Sequence, residues 1–455
     1  MDLNLTWGDV ARATGGALVR GGTADPFGSL STDSRRLAPG QAFWALAGAR
    51  FDAHDFLDED RARAAGGWVV RDGARLPEAK PGRIVEVADT LRALGELAAF
   101  HRRRFRVPVV GVTGTNGKTT VKEMMRAVLS RRGEVCASPG NLNNEVGVPL
   151  SLLELGESTR FGVFEMGACR RGDIRTLTRL VGPTAGVLTN IGPAHLEFFG
   201  DLENVFRTKS ELVEGLPPDA PVALNGDDPW LARLTERLGS RAVTFGRGRG
   251  ARVRVLAPPE ARPNEIALDV DGRRVSVGGA HYGGIHRINA AAAAAGSLAL
   301  GFGAEEIEAG LAAFRPPPLR FVPRRHPSGA LLIVDTYNAN PASVRAGVET
   351  FLETTGGERI VVLGDMAELG ASSARLHREV GRWLATLPLA GVCLAGERMA
   401  ETAVGLRAGG ARFPVVHAQA AGTLAGPLRG RLGAGTAVYF KASRVMRLEE
   451  LVEAL

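Results

Sequence analysis

Short runs of consecutive apolar residues recur along the chain, separated by stretches in which apolar positions return with helical period. Val107-Pro108-Val109-Val110-Gly111-Val112 is one such run, and after a glycine-rich turn the segment Lys118 to Arg131 has the helical repeat. A fully apolar short run needs cover on both faces, which a strand inside a parallel sheet obtains from crossover helices. Phe161-Gly162-Val163-Phe164 and Ala185-Gly186-Val187-Leu188 repeat the pattern. Leu331 to Asp335, Arg359 to Asp365, Ala390 to Leu394 and Ala437 to Phe440 do so again later, each followed by a helical stretch or the chain end. These predict two open α/β sheets, with functional residues gathered at the strand C-termini. The later sheet has a dinucleotide-binding pattern without the glycine fingerprint that would hold a dinucleotide. Gly67 to Val70 and Arg83 to Val87 predict strands of a smaller α/β unit near the start, and Ala290 to Ala295 predicts a closely packed helix.

Between the two large sheets lies Phe314-Arg315-Pro316-Pro317-Pro318. Each proline fixes its own φ and biases its predecessor away from helix, so this is a stiff strut. A chain of 455 residues also exceeds one ordinary core. The expected organisation is three α/β domains: a small N-terminal domain over 1–106, a central parallel-sheet domain over 107–318, and a C-terminal Rossmann-like domain over 319–455.

Composition narrows the function classes. With 45% hydrophobic and 23% charged residues, the chain has the profile of a compact protein rather than a disordered one. No run of about 18 uncharged apolar residues occurs and the opening MDLNLTWGDVARATGG has no basic segment before an apolar one, so no membrane span is expected and a cytoplasmic location is. The cysteines Cys136, Cys169 and Cys393 are too few and too dispersed for a disulfide framework or a metal knuckle, and read as buried small residues. The net charge of +7 is spread along the chain. Its densest run, His101 to Arg106, lacks aromatic interleaving and reads as a solvated helix end before a linker, so the excess charge points to anionic nucleotides rather than nucleic acid.

The strongest chemical signal is Gly111-Val112-Thr113-Gly114-Thr115-Asn116-Gly117-Lys118-Thr119-Thr120, which follows a predicted strand and opens a predicted helix. In that context glycines let backbone N–H groups converge on phosphate oxygens, and the helix N-terminus adds partial positive charge. Lys118 can neutralise the β- and γ-phosphates and Thr119 can ligate magnesium. Val112 stands where the common phosphate-loop pattern has glycine.

The run from Gly111 through Thr120 resembles the ATP loop of the Mur ligases and their folylpolyglutamate synthetase relatives. Asn141-Leu142-Asn143-Asn144-Glu145 to Pro149, Phe164 to Ala168 and Thr189 to Glu197 resemble the branch that adds D-alanyl-D-alanine. The resemblance implies ATP and Mg2+ as cofactors, with Glu165 and His195 holding metal ions and Lys209 a carbamylated oxygen ligand. Carbamylation requires a deprotonated amine, so it would need a depressed pKa at Lys209. It also implies Arg320 on the phosphates, Asp335 on the ribose hydroxyls and Asn289 on the adenine side. Leu319 replaces the usual glycine before the arginine, and His286 an asparagine.

Asp335-Thr336-Tyr337-Asn338-Ala339-Asn340-Pro341 is similar to a signature of that same branch, whose siblings carry Tyr-Ala-His. Asn338 and Asn340 can both donate and accept, which suits an amine and a carboxylate, although asparagines also make turns. Val362 to Gly370 and Lys441-Ala442-Ser443-Arg444 support the resemblance, with Ala442 in place of a glycine. Thr32, Ser34 and Arg35, with Phe43 to Leu46 and Phe51 to Phe56, resemble UDP-handling motifs, and Asn141, Asn143 and Asn144 a substrate-side loop. The reaction so implied is phosphorylation of a UDP-muramoyl tripeptide carboxylate by ATP, then attack by the amine of D-alanyl-D-alanine, with Lys118, Glu165, His195 and Lys209 as catalytic residues. A monomer that closes its domains on its substrates is expected. Rival readings are the sibling that adds diaminopimelate or lysine, and a nucleotide-switched binding protein.

Overall fold

The structure is a computed structural model describing residues 2–48, 51–279 and 283–455. Its residues gather into two compact units. One comprises Met1–Gly111, Gly133–Met166 and Arg175–Thr184; the other comprises Val112–Arg132, Gly167–Ile174 and Ala185–Leu455.

In the first unit a five-stranded sheet runs in the order Ala17–Arg20, Ile84–Val87, Gly67–Arg71, Ala42–Trp44, Leu30–Ser31. All neighbours are parallel except Ala17–Arg20, which is antiparallel to Ile84–Val87. Phe43, Trp44 and Ala45 are fully buried, and the Trp44 indole donates to the Thr90 carbonyl at 2.7 Å. Burying a large side chain of this kind stabilises by roughly 1.5–3 kcal/mol, so this part of a suggested UDP motif is core.

Helix Thr90–Arg102 starts at an Asp89 cap whose carboxylate accepts from the Leu91 and Arg92 amides. Of its basic end, Arg103, Arg104 and Arg106 are exposed as the charge run suggests, but His101 and Arg102 are buried. His101 Nε2 lies 2.9 Å from the Leu155 carbonyl, and the buried Arg102 guanidinium donates to the carbonyls of Val181 and Gly182. Arg102 thereby satisfies carbonyls at the end of another helix, a structural task. In the same unit, strands Glu134–Ala137 and Thr159–Glu165 pair in parallel.

Strand Val109–Thr113, buried along its whole length, carries the chain into the second unit. There Ala185–Leu188, Val222–Asn225, Ala242–Gly246 and Val253–Val255 are successive parallel neighbours. Beyond them Ile266–Val270 and Arg273–Val277 add an antiparallel hairpin, where the apolar runs had suggested only parallel strands. Asp271 and Gly272 turn this hairpin at φ 47 and 83, the left-handed pair that an Asp-Gly sequence tolerates. Helix Gly284–Leu298 buries Ala290 through Ala295 almost completely.

The second sheet of this unit runs Val322–Arg325, Leu331–Asp335, Thr436–Lys441, Glu358–Gly364, Gly391–Ala395, Val415–Ala418. Only the first strand is antiparallel to its neighbour. Because side chains alternate across a strand, Ile333, Val361, Leu363 and Tyr439 enter one core while Leu332, Val334, Val362, Val438 and Phe440 enter another. With both faces covered, the strands read as unbroken apolar runs, which is why the sequence revealed them.

Candidate active site

Helix Lys118–Leu129 begins at Gly117 with no side-chain cap, so its first amides face the loop. Gly114 and Gly117 have φ of 138 and 85. A β-carbon on Gly114 would lie 2.0 Å from Thr189 Oγ1, and one on Gly117 would lie 2.4 Å from Asn289 Oδ1. Both glycines are therefore required by backbone angle and by space. Lys118 Nζ donates to the carbonyls of Gly114 and Thr115 at 2.9 and 3.0 Å.

The loop is braced by the end of the neighbouring strand. Thr115 N donates to the Asn190 carbonyl, Asn116 N to Asn190 Oδ1, and Thr189 Oγ1 to the Asn116 carbonyl. Asn225 holds the Thr189 carbonyl and Asp228 holds the Ile191 amide. The run Thr189 to Glu197 is recognisable in the sequence, but the bracing by Thr189 and Asn190 is not, because their spacing to the loop exists only in three dimensions.

From the turn that precedes the later sheet, Arg320 Nη2 donates to Thr119 Oγ1 at 3.2 Å and its guanidinium sits 3.7 Å from the Tyr337 ring centroid. Asn116 and Asn340 exchange amide hydrogen bonds, at 2.8 Å from Asn340 Nδ2 and 3.4 Å from Asn116 Nδ2. Asn340 also caps helix Pro341–Thr354 by accepting from Ser343 N. The exposed Asn338 directs Oδ1 to the Ala339 amide, and its carbonyl accepts from Lys441 Nζ at 3.0 Å. Asp335 is buried and receives both Tyr439 Oη and Lys441 Nζ on Oδ2.

His195 occupies the left-handed region at φ 53, and its Nδ1 lies 2.6 Å from Glu368 Oε2, whose own residue has φ 61. Burial holds the His195 pKa below its usual value; Glu368 opposes this, while Lys118 and Lys209 reinforce it. Lys209, on helix Leu202–Glu214, is buried rather than solvated, with Nζ 5.9 Å from the Phe199 ring centroid. Glu368 stands within the run Val362 to Gly370, and nothing in its position along the chain marks it as the partner of His195.

In the first unit Glu165 is buried at the end of its strand. Its backbone amide donates to Ser138 Oγ and its Oε1 accepts from Asn143 Nδ2 at 2.7 Å. Among the described residues Oε2 has no hydrogen-bond partner. A buried carboxylate oxygen left in that condition is costly unless a cation completes it. Asn144 accepts from the amides of Val146 and Gly147, a turn-making role, while Asn141 is exposed. Arg35 is held bidentate by Asp33, whose carboxyl is lowered to about 2 chiefly by that hydrogen bond. Ser34 is buried in the short helical turn Ser34–Arg36, and Thr32 precedes it half-buried. Cys136 and Cys393 are buried, with thiols pushed up by burial to about 12 and about 11. Cys169 is exposed, contrary to the expectation for all three.

Residues 112–296 match the Mur ligase middle domain and residues 319–444 the Mur ligase glutamate ligase domain. The UDP-N-acetylmuramoyl-tripeptide--D-alanyl-D-alanine ligase of Escherichia coli (strain K12) is 39% identical over 356 residues, 78% of each chain. The chain belongs to the Mur ligase family. A crystal structure of MurF from Acinetobacter baumannii superposes with TM-score 0.89 at 32% identity, covering 99% of this chain and 98% of the other. The MurF ligase of Thermotoga maritima in complex with ADP superposes with TM-score 0.82 at 30% identity, covering 94% and 96%.

Three departures from the Mur ligase pattern have a place in the packing. Leu319, in place of glycine, takes φ 62 and Phe321 takes φ 56, so the turn keeps its left-handed shape at the cost of strain. Its carbonyl accepts from Tyr337 N, and Leu319 packs against the core, which offsets that strain. Ala442 is not among the left-handed residues, and it is fully buried. A β-carbon on Gly364 would come within 2.7 Å of the one Ala442 carries, so Gly364 provides the room. His286, in place of asparagine, is buried with its ring edge-on to Phe321 at 5.3 Å.

Proposed function

We propose that this ATP-dependent, ADP-forming Mur ligase joins D-alanyl-D-alanine to a UDP-N-acetylmuramoyl tripeptide, a step of peptidoglycan precursor synthesis. A carboxylate oxygen of the tripeptide attacks the γ-phosphorus and ADP leaves, giving an acyl phosphate. The dipeptide amine then attacks the acyl carbon, loses a proton, and expels phosphate from the tetrahedral intermediate as the amide forms. The supporting observation is the reciprocal Asn116–Asn340 bond, which ties the phosphate loop to the Asp335–Pro341 run typical of the D-alanyl-D-alanine branch.

Within this reading Gly114 to Thr120 supply main-chain donors to the triphosphate, and Lys118 neutralises the transferring phosphoryl group. Arg320 steadies the phosphates, Asp335 accepts from ribose hydroxyls, and Asn289 lies on the adenine side. Asn338 and Asn340 face the dipeptide, with Asn340 acting mainly by fixing Asn116. Thr32, Ser34 and Arg35 take the UDP portion, and Asn141, Asn143 and Asn144 the muramoyl side. The same division assigns nucleotide binding to 107–318, the UDP end to 1–106 and the amine to 319–455.

Magnesium fits the donor set. Among the described residues no three His, Cys, Asp or Glu side chains cluster as a protein-built metal cage, and Mg2+ usually takes only one or two carboxylates besides phosphates and water. In the second unit Thr119 Oγ1 and His195 would hold it, with Lys209 joining only as a carbamate, since an ammonium cannot ligate a cation; in the first unit the orphaned Oε2 of Glu165 is a donor suited to such an ion. Bound there, the metal would offset negative charge on the transferring phosphoryl group. No helix among the described residues is long and apolar enough to cross a membrane, and a cytoplasmic monomer is proposed. Mass spectrometry of the product from UDP-tripeptide, ATP and D-alanyl-D-alanine tests the reading. A pentapeptide with one ADP per bond is expected; no pentapeptide from these substrates, with diaminopimelate or lysine joined to the UDP-dipeptide in a parallel reaction, would overturn it.

A further inference from the structure

Strands Leu331–Asp335 and Thr436–Lys441 are parallel neighbours with Asp335 opposite Lys441 and Ile333 opposite Tyr439. Tyr439 and Lys441 are two residues apart, so both side chains project from the same face of the sheet. There they converge on one oxygen: Tyr439 Oη and Lys441 Nζ lie 2.8 and 2.7 Å from Asp335 Oδ2. Both hydrogen bonds that the Asp335 carboxylate makes among the described residues thus use Oδ2, leaving Oδ1 to accept from a ligand.

The tyrosine is locked. Its ring stacks on Phe351 at 5.6 Å and contacts Phe321 at 5.8 Å. A β-carbon on Gly347 would fall 1.8 Å from its hydroxyl oxygen, so helix Pro341–Thr354 leaves a gap there that the hydroxyl fills. Lys441 has a second bond that the tyrosine lacks, to the Asn338 carbonyl at 3.0 Å. Two residues on, Ser443 Oγ donates to the next carbonyl, Ala339, at 3.3 Å, and accepts from Ala367 N. Burial pushes the Lys441 pKa down, against the pull of Asp335. A buried ammonium is tolerated only when paired and hydrogen-bonded, so the lysine, the aspartate and the Asn338 carbonyl hold one another in a single arrangement.

We infer that Lys441 is a positioning residue that bridges the ribose side of the active centre, through Asp335, to the amine side, through the Asn338 main chain. This rests on the roles given to Asp335 and Asn338 under the proposed function. Tyr439 supports the ribose side alone.

The test measures ADP affinity by calorimetry and the KM for D-alanyl-D-alanine at saturating ATP. Tyr439→Phe removes one bond to a charged acceptor, so ADP should bind about tenfold more weakly while the dipeptide KM stays within about twofold. Lys441→Met should weaken ADP by about tenfold or more and raise the dipeptide KM by about tenfold. Because Lys441→Met leaves a buried carboxylate unpaired and can unfold the sheet, Asp335→Asn is also compared with Asp335→Asn/Lys441→Met, in which neither charge remains. The second change should raise the dipeptide KM by about tenfold over the first and alter ADP affinity little. Equal dipeptide KM values in these two proteins would overturn the bridge while leaving the ribose role of Asp335 intact. Asp335→Asn binding ADP as tightly as the parent would overturn that ribose role instead, and the bridge with it.

Discussion

The phosphate loop and the Asp335–Asn340 segment meet through a pair of asparagines, yet they are built on opposite principles. Gly114 to Thr120 is shaped by main chain: two left-handed glycines, an uncapped helix start, and carbonyls and amides braced by Thr189 and Asn190. Asp335 to Asn340 is shaped by side chains buried beneath it, chiefly Tyr439, Lys441 and Ser443. A main-chain site presents several donors at fixed spacing and suits an anion whose oxygens are alike. A segment held by buried side chains can set one carboxylate and one carbonyl separately, which suits a ligand with distinct polar groups. The first should fail abruptly when backbone geometry is disturbed, the second in graded steps.

The largest expected effect is at Lys118. Lys118→Ala should lower product formation by about 10³-fold or more with the fold retained; steady-state assay against the parent decides, and equal rates would sink the phosphoryl-transfer reading. Next is Gly117→Ala, which meets Asn289 Oδ1 at 2.4 Å in a left-handed backbone. ADP affinity should fall by at least about tenfold. Adding Asn289→Ala should recover part of the lost thermal stability but not the affinity, since the backbone strain persists and Asn289 is itself assigned to the adenine side; full recovery of stability would show that space alone mattered to the fold.

A smaller effect concerns pH at the loop that follows strand Glu358–Gly364. His377 is buried, accepts from Met366 N on Nε2 and lies 2.8 Å from the Ser373 carbonyl on Nδ1, the pattern of a neutral ring. Burial lowers its pKa from 6.5, so the folded state binds fewer protons than the unfolded one. Its contribution to stability is therefore present above pH 6.5 and lost as pH falls through the lower folded-state value. The melting temperature should drop on acidification from pH 7, and His377→Gln should flatten that dependence; an unchanged slope in the variant would assign the drop elsewhere. Least of all, Leu319→Gly should relieve about 1 kcal/mol of left-handed strain while losing core contact, for a net change near zero by denaturant titration.

The strand runs and the glycine-rich turn were legible because they are local. Fully covered strands must be apolar throughout, and a phosphate loop must carry its glycines and lysine consecutively. The hairpin at Asp271-Gly272 was not among the expected elements, because its strands alternate and are less apolar, although its turn residues carry a signal. The fate of His101 and Arg102 was not legible, since charge in a sequence does not reveal which carbonyls will surround it. Nor was the burial of Lys209, the contact of His195 with Glu368, or the exposure of Cys169.

By itself, then, the order of residues determined the α/β character, the phosphate-binding turn and the family, since each depends on spacing along one strand, turn or helix. Only the tertiary structure decided that Asn340 is a cap holding Asn116, that Thr189 and Asn190 brace the loop, and that Tyr439 and Lys441 meet on Asp335. Those pairings join residues from about 70 to more than 200 positions apart, and only the packing of strands against one another brings such distant donors and acceptors within the roughly 3 Å that a hydrogen bond requires.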